Sequence, residues 1–208
     1  MHAILDLFLH LDTHLASAIA QYGVLTYVIL FVIIFCETGL VIFPFLPGDS
    51  LLFAAGALAI GSGLSLGWLF VLLSIAAIVG NILNYCIGRW LGERIFSENA
   101  RFLKKSHLQK THEFYETYGA KAIVLSRFTP IIRTIAPFVA GAGRMKQSTF
   151  HFYNIIGGLS WVALMLLCGY FFGGIPFVRT HFSTVVLGIV FVSLLPAIFE
   201  WIGTRKRA

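Results

Sequence analysis

Charge is what this sequence has least of. Asp, Glu, Lys and Arg make up 12% of the 208 residues, against 58% for apolar types, and the mean hydropathy is +0.87. Water-soluble domains carry about twice that share of charge. The composition therefore excludes a soluble domain and points to lipid as the solvent. Lys and Arg are absent altogether before Arg89, and without a basic leading region no cleavable signal peptide is expected. The three cysteines, Cys36, Cys86 and Cys168, all lie inside apolar runs, which argues against a disulfide framework and a thiolate metal site. No cofactor is expected. Because no soluble module displays the basic residues, no nucleic-acid partner is expected either.

What is present is a series of long apolar runs. Leu66–Ile87, Phe150–Phe172 and Thr184–Ile202 are each about 20 residues, enough to cross a hydrocarbon core of roughly 30 Å. The expectation is one all-α polytopic membrane domain over residues 1–208, with about three transmembrane helices, the last over 184–203. Residues 2–21 mix Leu and Phe with Asp6, His10, Asp12 and His14, a spacing that predicts an amphipathic interfacial helix. His10 and His14 are four apart, as a metal pair would be, but a solvated polar face is the better reading. Residues 1–88 hold four acids and no base, whereas 89–208 hold all 15 bases and five acids. By the positive-inside rule, the basic region 89–121, read as amphipathic helices, and the C-terminal tail are cytoplasmic. This topological role accounts for most of the net charge of +6.

Two apolar segments are interrupted. Val24–Ala59 contains Pro44, Pro47 and Gly48 followed by Asp49, and Ala122–Gly143 contains Pro130 and Pro137 with Arg127 and Arg133. Proline removes a helical N–H donor and clashes with the preceding turn, and broken backbone at membrane depth survives only against protein or a hydrated cavity. Both segments are therefore expected to be re-entrant helical hairpins, broken at 44–49 and at 127–137, with a span followed by a shorter dip as the alternative for the first. If the second turns back, twelve basic residues share the cytoplasmic side and only Arg179 lies outside.

An internal repeat supports this reading. Tyr22-Gly23 and Tyr118-Gly119 precede the two breaks, Phe53-Ala-Ala-Gly-Ala and Phe138-Val-Ala-Gly-Ala follow them, and Gly88/Gly92 and Gly169/Gly173 close the next spans. Residues 22–92 and 118–173 thus read as an inverted repeat of two opposed hairpins, the plan of secondary transporters.

Four ionisable residues stand in apolar surroundings: Glu37, Asp49, Arg127 and Arg133. A charge at the bilayer centre costs about 2.5–3.5 kcal/mol or more. Ion pairing between the hairpins is one explanation, though apolar packing usually stabilises as well as a buried pair. The functional explanation is a site. Arg127 and Arg133 flank Pro130, and guanidinium forks bind phosphate oxygens bidentately. Glu37 and Asp49 cannot bind an anion while ionised, but carboxylates in a dry site readily take up protons, the arrangement proton coupling needs. Asn81, Asn84 and Asn154 are uncharged polar residues within spans. They glue helices by hydrogen bonds, with Asn81 and Asn154 also candidates for cavity lining. Gly80, Gly88, Gly92, Gly157 and Gly158 permit close helix approach, and Trp68, Trp90 and Trp161 are expected as interfacial anchors.

The run Arg127-Phe128-x-Pro130-x-x-Arg133-Thr134-x-x-Pro137-x-x-Ala140-Gly141-x-x-x-Met145 continues through Phe150, Asn154, Gly157 and Trp161. Upstream stand Glu37-Thr38, Pro47-Gly48-Asp49 with Gly56, and Tyr85-x-x-Gly88-Arg89-x-x-Gly92. In these elements the chain resembles the DedA family of bacterial inner-membrane proteins, whose shared region is the VTT or SNARE-associated domain. The likeness covers nearly the whole chain, in detail from Tyr22 to Trp161. Asn81 departs from it, standing where the family often has an acid. The resemblance implies two facing re-entrant hairpins, functional weight on Glu37, Asp49, Arg127 and Arg133, and a multi-pass inner-membrane location. It further implies transport of a polyprenyl phosphate, in particular recycling of undecaprenyl phosphate, and dependence on the proton motive force.

The expected function is that of a lipid-phosphate flippase and not an enzyme. Its partners are an anionic lipid, protons and membrane lipids, and a homo-oligomer is compatible with the pattern. The alternatives are a proton-dependent drug or cation antiporter using Glu37 and Asp49, a general phospholipid scramblase, or a non-transporting scaffold. A membrane phosphatase lacks its histidines, since the first His after Ser126-Arg127 is His151.

Overall fold

The computed structural model describes residues 23–40, 48–91, 115, 118–182, 184–185 and 188–189. All its regular elements are helical. α1 is Leu25–Gly39, α2 Gly48–Leu58, α3 Leu66–Leu91, α4 Ala122–Ser126, α5 Pro130–Ala142, α6 Gln147–Gly173 and α7 Pro176–Thr180. A 3₁₀ turn, Gly119–Lys121, leads into α4. The expected N-terminal amphipathic helix with His10 and His14, the Pro44–Pro47 break, Gly92, most of the basic 89–121 region and all but four residues of the last span lie outside the described residues.

Among the described residues, α3 and α6 are the two helices long and apolar enough to cross a membrane. At about 1.5 Å per residue, 26 and 27 residues extend roughly 39 and 40 Å; α3 starts at the expected Leu66 and runs four residues past Ile87, and α6 exceeds the expected Phe150–Phe172 at both ends. Their outer faces suit lipid: Val71, Ile75 and Val79 form an exposed i, i+4, i+8 stripe on α3, and Phe152, Ile156, Leu159 and Phe171 are exposed on α6.

The start of α3 is built locally. Gly61 and Gly63 take φ of +83° and +78°, turning the chain after α2. The Trp68 N–H then donates to Ser65 Oγ at 3.5 Å, and the Ser65 N–H donates to the Tyr27 hydroxyl at 2.7 Å. α5 ends differently. Arg144 adopts φ +54°, and the Met145 N–H reaches back to the Ala140 carbonyl at 2.9 Å. This is the left-handed helix stop usually given to glycine.

The described residues divide into two compact units. One gathers those of Met1–Ile33, Pro47–Ser74 and Val162–Ala208, the other those of Ile34–Leu46 and Ile75–Trp161. In the first, α2 is buried from Gly48 to Ala57 and lies against the end of α6. A Cβ at Gly56 would strike the Leu166 carbonyl, one at Gly169 the Phe53 carbonyl, and one at Gly173 would strike Ala57. In the second, α5 lies against the end of α3 in the same register. A Cβ at Gly141 would strike the Tyr85 carbonyl and one at Gly88 the Phe138 carbonyl. Each Phe-x-Ala-Gly-Ala segment therefore docks on the long helix that follows the other one, with glycines letting the backbones touch.

The sign of a Gly→Ala change distinguishes these seams from ordinary helical glycines. Gly141→Ala and Gly56→Ala should each destabilise the detergent-solubilised protein by about 1–3 kcal/mol through overpacking. Gly67→Ala, whose Cβ would meet only Ser65 Oγ at 3.7 Å, should be neutral or stabilising, since alanine is the better helix former. Thermal unfolding of the three variants checks this.

Candidate functional site

The second break is where most of the candidate side chains gather. α4 ends at Ser126, the chain turns through residues 127–129, and α5 starts with Pro130 at its first helical position. Thr129 is extended (φ −123°, ψ 107°), as the residue before a proline must be, and its carbonyl accepts from the Arg133 N–H at 2.7 Å. Pro137, expected to share in the break, instead sits inside α5. The interruption is thus confined to three residues, and the two arginines fall on either side of a helix start.

Arg127 is 1% exposed. Its Nη2 donates to Asn154 Oδ1 at 2.8 Å and to the Ala77 carbonyl at 3.2 Å. Its Nε and Nη1, equally buried, have no hydrogen-bond partner. Among the described residues no carboxylate pairs with it; both acceptors are neutral. Room for the side chain comes from Gly157 and Gly158 on α6: a Cβ at the first would sit 3.4 Å from Arg127 Cγ, and at the second 3.5 Å from Arg127 Nη2. Asn154 is the hub. Its Oδ1 also accepts from Asn81 Nδ2 at 3.1 Å, and its Nδ2 donates to the Ile78 carbonyl at 3.0 Å.

Arg133 is held otherwise. Its Nη2 donates to Glu37 Oε1 at 2.7 Å in an ion pair with both residues buried. One amide braces that pair: Asn84 Nδ2 donates to the carbonyls of Thr38 at 3.3 Å and Thr134 at 2.9 Å, the residues immediately following Glu37 and Arg133. The Thr38 carbonyl is one of the last four of α1, the groups that the helix's own N–H donors do not reach.

Both guanidinium groups approach Trp161. Arg127 Cζ is 5.7 Å and Arg133 Cζ 5.0 Å from its ring centroid. Trp161 is fully buried, so the expectation that it anchors at the interface is corrected, whereas Trp68 and Trp90 are exposed. The signal that could have placed it is helical spacing: Asn154, Gly157/Gly158 and Trp161 follow i, i+3/i+4, i+7 along one face of α6.

The structure thus brings Glu37, Asn81, Arg127, Arg133 and Asn154 into one unit. Asp49 belongs to the other unit, buried in the first turn of α2, where a carboxylate suits the positive end of the helix dipole. No group of three or more metal-ligating residues occurs among the described residues.

Comparison with known proteins agrees with this picture at the level of family. Residues 46–171 match the VTT domain. The chain is 52% identical over 211 aligned residues to Protein DedA of Escherichia coli (strain K12), covering 100% of this chain and 96% of that one. It is 41% identical to an uncharacterized membrane protein of Mycobacterium leprae, over 85% and 80% of the two chains. It is 31% identical to inner membrane protein YqjA of Escherichia coli (strain K12), over 86% and 81%. No solved structure matches the chain at a significant level.

Two expectations for stability follow. Glu37→Gln should cost about 3–5 kcal/mol, because it leaves a buried arginine without its counter-charge. Adding Arg133→Gln should recover most of that loss, a coupling a double-mutant cycle on thermal unfolding measures. Asn154→Ala removes an acceptor from a charged donor and should cost about 1.5–3 kcal/mol, read in the same assay.

Proposed function

Since the chain belongs to the VTT-domain family that includes DedA, a family of membrane proteins, we propose that it carries a lipid phosphate across the bilayer, with undecaprenyl phosphate as the substrate that best fits. The single observation that carries this reading is Arg127. Its guanidinium is buried, faces only neutral acceptors and keeps two donor nitrogens unused. A buried cation of this kind is costly unless an anion completes it, and Nε and Nη1 each keep a donor with which to meet a phosphate oxygen, as charge-assisted hydrogen bonds.

Arg133 supplies the second cation, gated by Glu37. While Glu37 is ionised, it competes with an anion for Arg133 Nη2. A proton on Glu37 cancels that competition, so proton uptake and phosphate capture favour one another. Asp49 is assigned the corresponding proton-carrying role in its own unit. In this reading the two interrupted segments are re-entrant hairpins of an inverted repeat. The basic 89–121 region and the C-terminus face the cytoplasm, and the protein works in the inner membrane, driven by the proton motive force. It is a transporter and not an enzyme.

A second reading is a proton-dependent antiporter for cations or drugs, favoured by the burial of both Glu37 and Asp49. General phospholipid scrambling would use the same arginines with less selectivity.

Reconstitution decides among these. In proteoliposomes carrying a labelled polyprenyl phosphate, Arg127→Ala should slow its transbilayer movement by about thirty-fold or more, since truncating a buried charged contact costs about 2 kcal/mol or more. Arg127→Lys should restore little, because a single ammonium cannot keep the Asn154 and Ala77 contacts of Nη2 and also offer donors in the directions of Nε and Nη1. Asp49→Asn should weaken, without abolishing, the response of the rate to an imposed pH gradient, because Glu37 still couples proton uptake to phosphate capture. Wild-type rates in Arg127→Ala, together with gradient-driven efflux of cations, would transfer the assignment to the antiporter.

A further inference from the structure

We propose that Trp161 is a positioning residue for the anion site, its indole ring serving as a common cation–π surface that holds the Arg127 and Arg133 guanidinium groups together. The inference rests on the phosphate reading above and adds a residue to it. Two guanidinium groups directed at one ligand repel each other, and something must hold them in place before the ligand arrives. Glu37 compensates Arg133. Arg127 has only an amide oxygen and a main-chain carbonyl, and neither carries a full negative charge.

The ring of Trp161 is the one aromatic surface among the described residues within cation–π range of both cations, at 5.7 and 5.0 Å. Indole has the strongest negative face of the aromatic side chains, and the attraction grows when water is excluded. Here both cations and the ring are buried. An aliphatic side chain of similar bulk would fill the volume without any such field.

The placement is also sterically determined. Trp161 follows Gly157 and Gly158 by one helical turn on α6, the glycines over which the Arg127 side chain runs. A single helix face therefore supplies the acceptor at Asn154, the gap at Gly157 and Gly158, and the ring at Trp161. Arg127 crosses all three, and Arg133 meets the same ring from α5. The ring thereby sets the spacing of the two cations, and that spacing decides whether one phosphate can bridge them.

The test must separate the ring's charge distribution from its shape. Trp68, Trp90 and Trp201 are replaced by Phe, and the full-length chain is produced with mono-, di- or trifluorinated tryptophan, which keeps the ring's form and progressively weakens its negative face. Binding of dodecyl phosphate to the protein in lipid nanodiscs should weaken stepwise with fluorine number, reaching about ten-fold, with thermal stability nearly unchanged. Trp161→Phe should fall between wild type and Trp161→Leu. If Arg127→Ala abolishes binding while affinity is flat across the fluorinated series, Trp161 only fills space and the proposal is overturned, with the phosphate reading intact. If Arg127→Ala binds dodecyl phosphate as wild type does, the phosphate reading fails and the proposal fails with it.

Discussion

Burying Arg127 is the constraint around which the second unit is organised. A guanidinium in a dry interior needs acceptors, space and some compensation for its charge. α3 provides a carbonyl at Ala77, and α6 provides Asn154, a pair of glycines and Trp161. Glycine inside a helix costs about 0.5–1 kcal/mol relative to alanine, and buried asparagines are costly unless bonded. These are disadvantages that a helix interior accepts here in order to keep one cation. Hydrogen bonds to neutral oxygens satisfy donors, but they leave the charge itself uncancelled.

The two arginines are consequently unlike, although the sequence presents them as equivalents flanking one proline. Arg133 is locked into an ion pair whose flanking main chains are tied by a single amide, Asn84. Arg127 keeps two unbonded donor nitrogens, Nε and Nη1. One cation is neutralised by a carboxylate and the other keeps donor nitrogens unused. In the phosphate reading proposed above, two locked arginines would resist the ligand, and two open ones would be hard to bury at all.

Much of this was legible from residues alone, and what was not has physical reasons. Length and hydropathy located α3 and α6, because spanning a bilayer demands both. Pro130 marked the second break correctly, since a proline at a helix start has no N–H to lose. Pro137 misled because it too signals a break, yet α5 accommodates it. The pairing of Glu37 with Arg133 joins residues 96 apart, and no local spacing encodes such a contact. Trp161 was misjudged because tryptophan composition carries no depth; only its phase with Asn154 and the two glycines distinguishes it from exposed Trp68 and Trp90. Asn84 was read as helix glue, which it is. Its particular place beside both ends of the ion pair needed coordinates.

The crossed seams of Gly56 with α6 and of Gly141 with α3 have a consequence for biogenesis. During synthesis α2 leaves the ribosome more than a hundred residues before the stretch of α6 that covers it, whereas α5 finds α3 already in the membrane. The first half of the chain must therefore wait in the insertion machinery or in lipid with its glycine face uncovered. A truncated translation product ending before Leu166 would carry that uncovered face permanently, making it a natural substrate for membrane quality-control proteases.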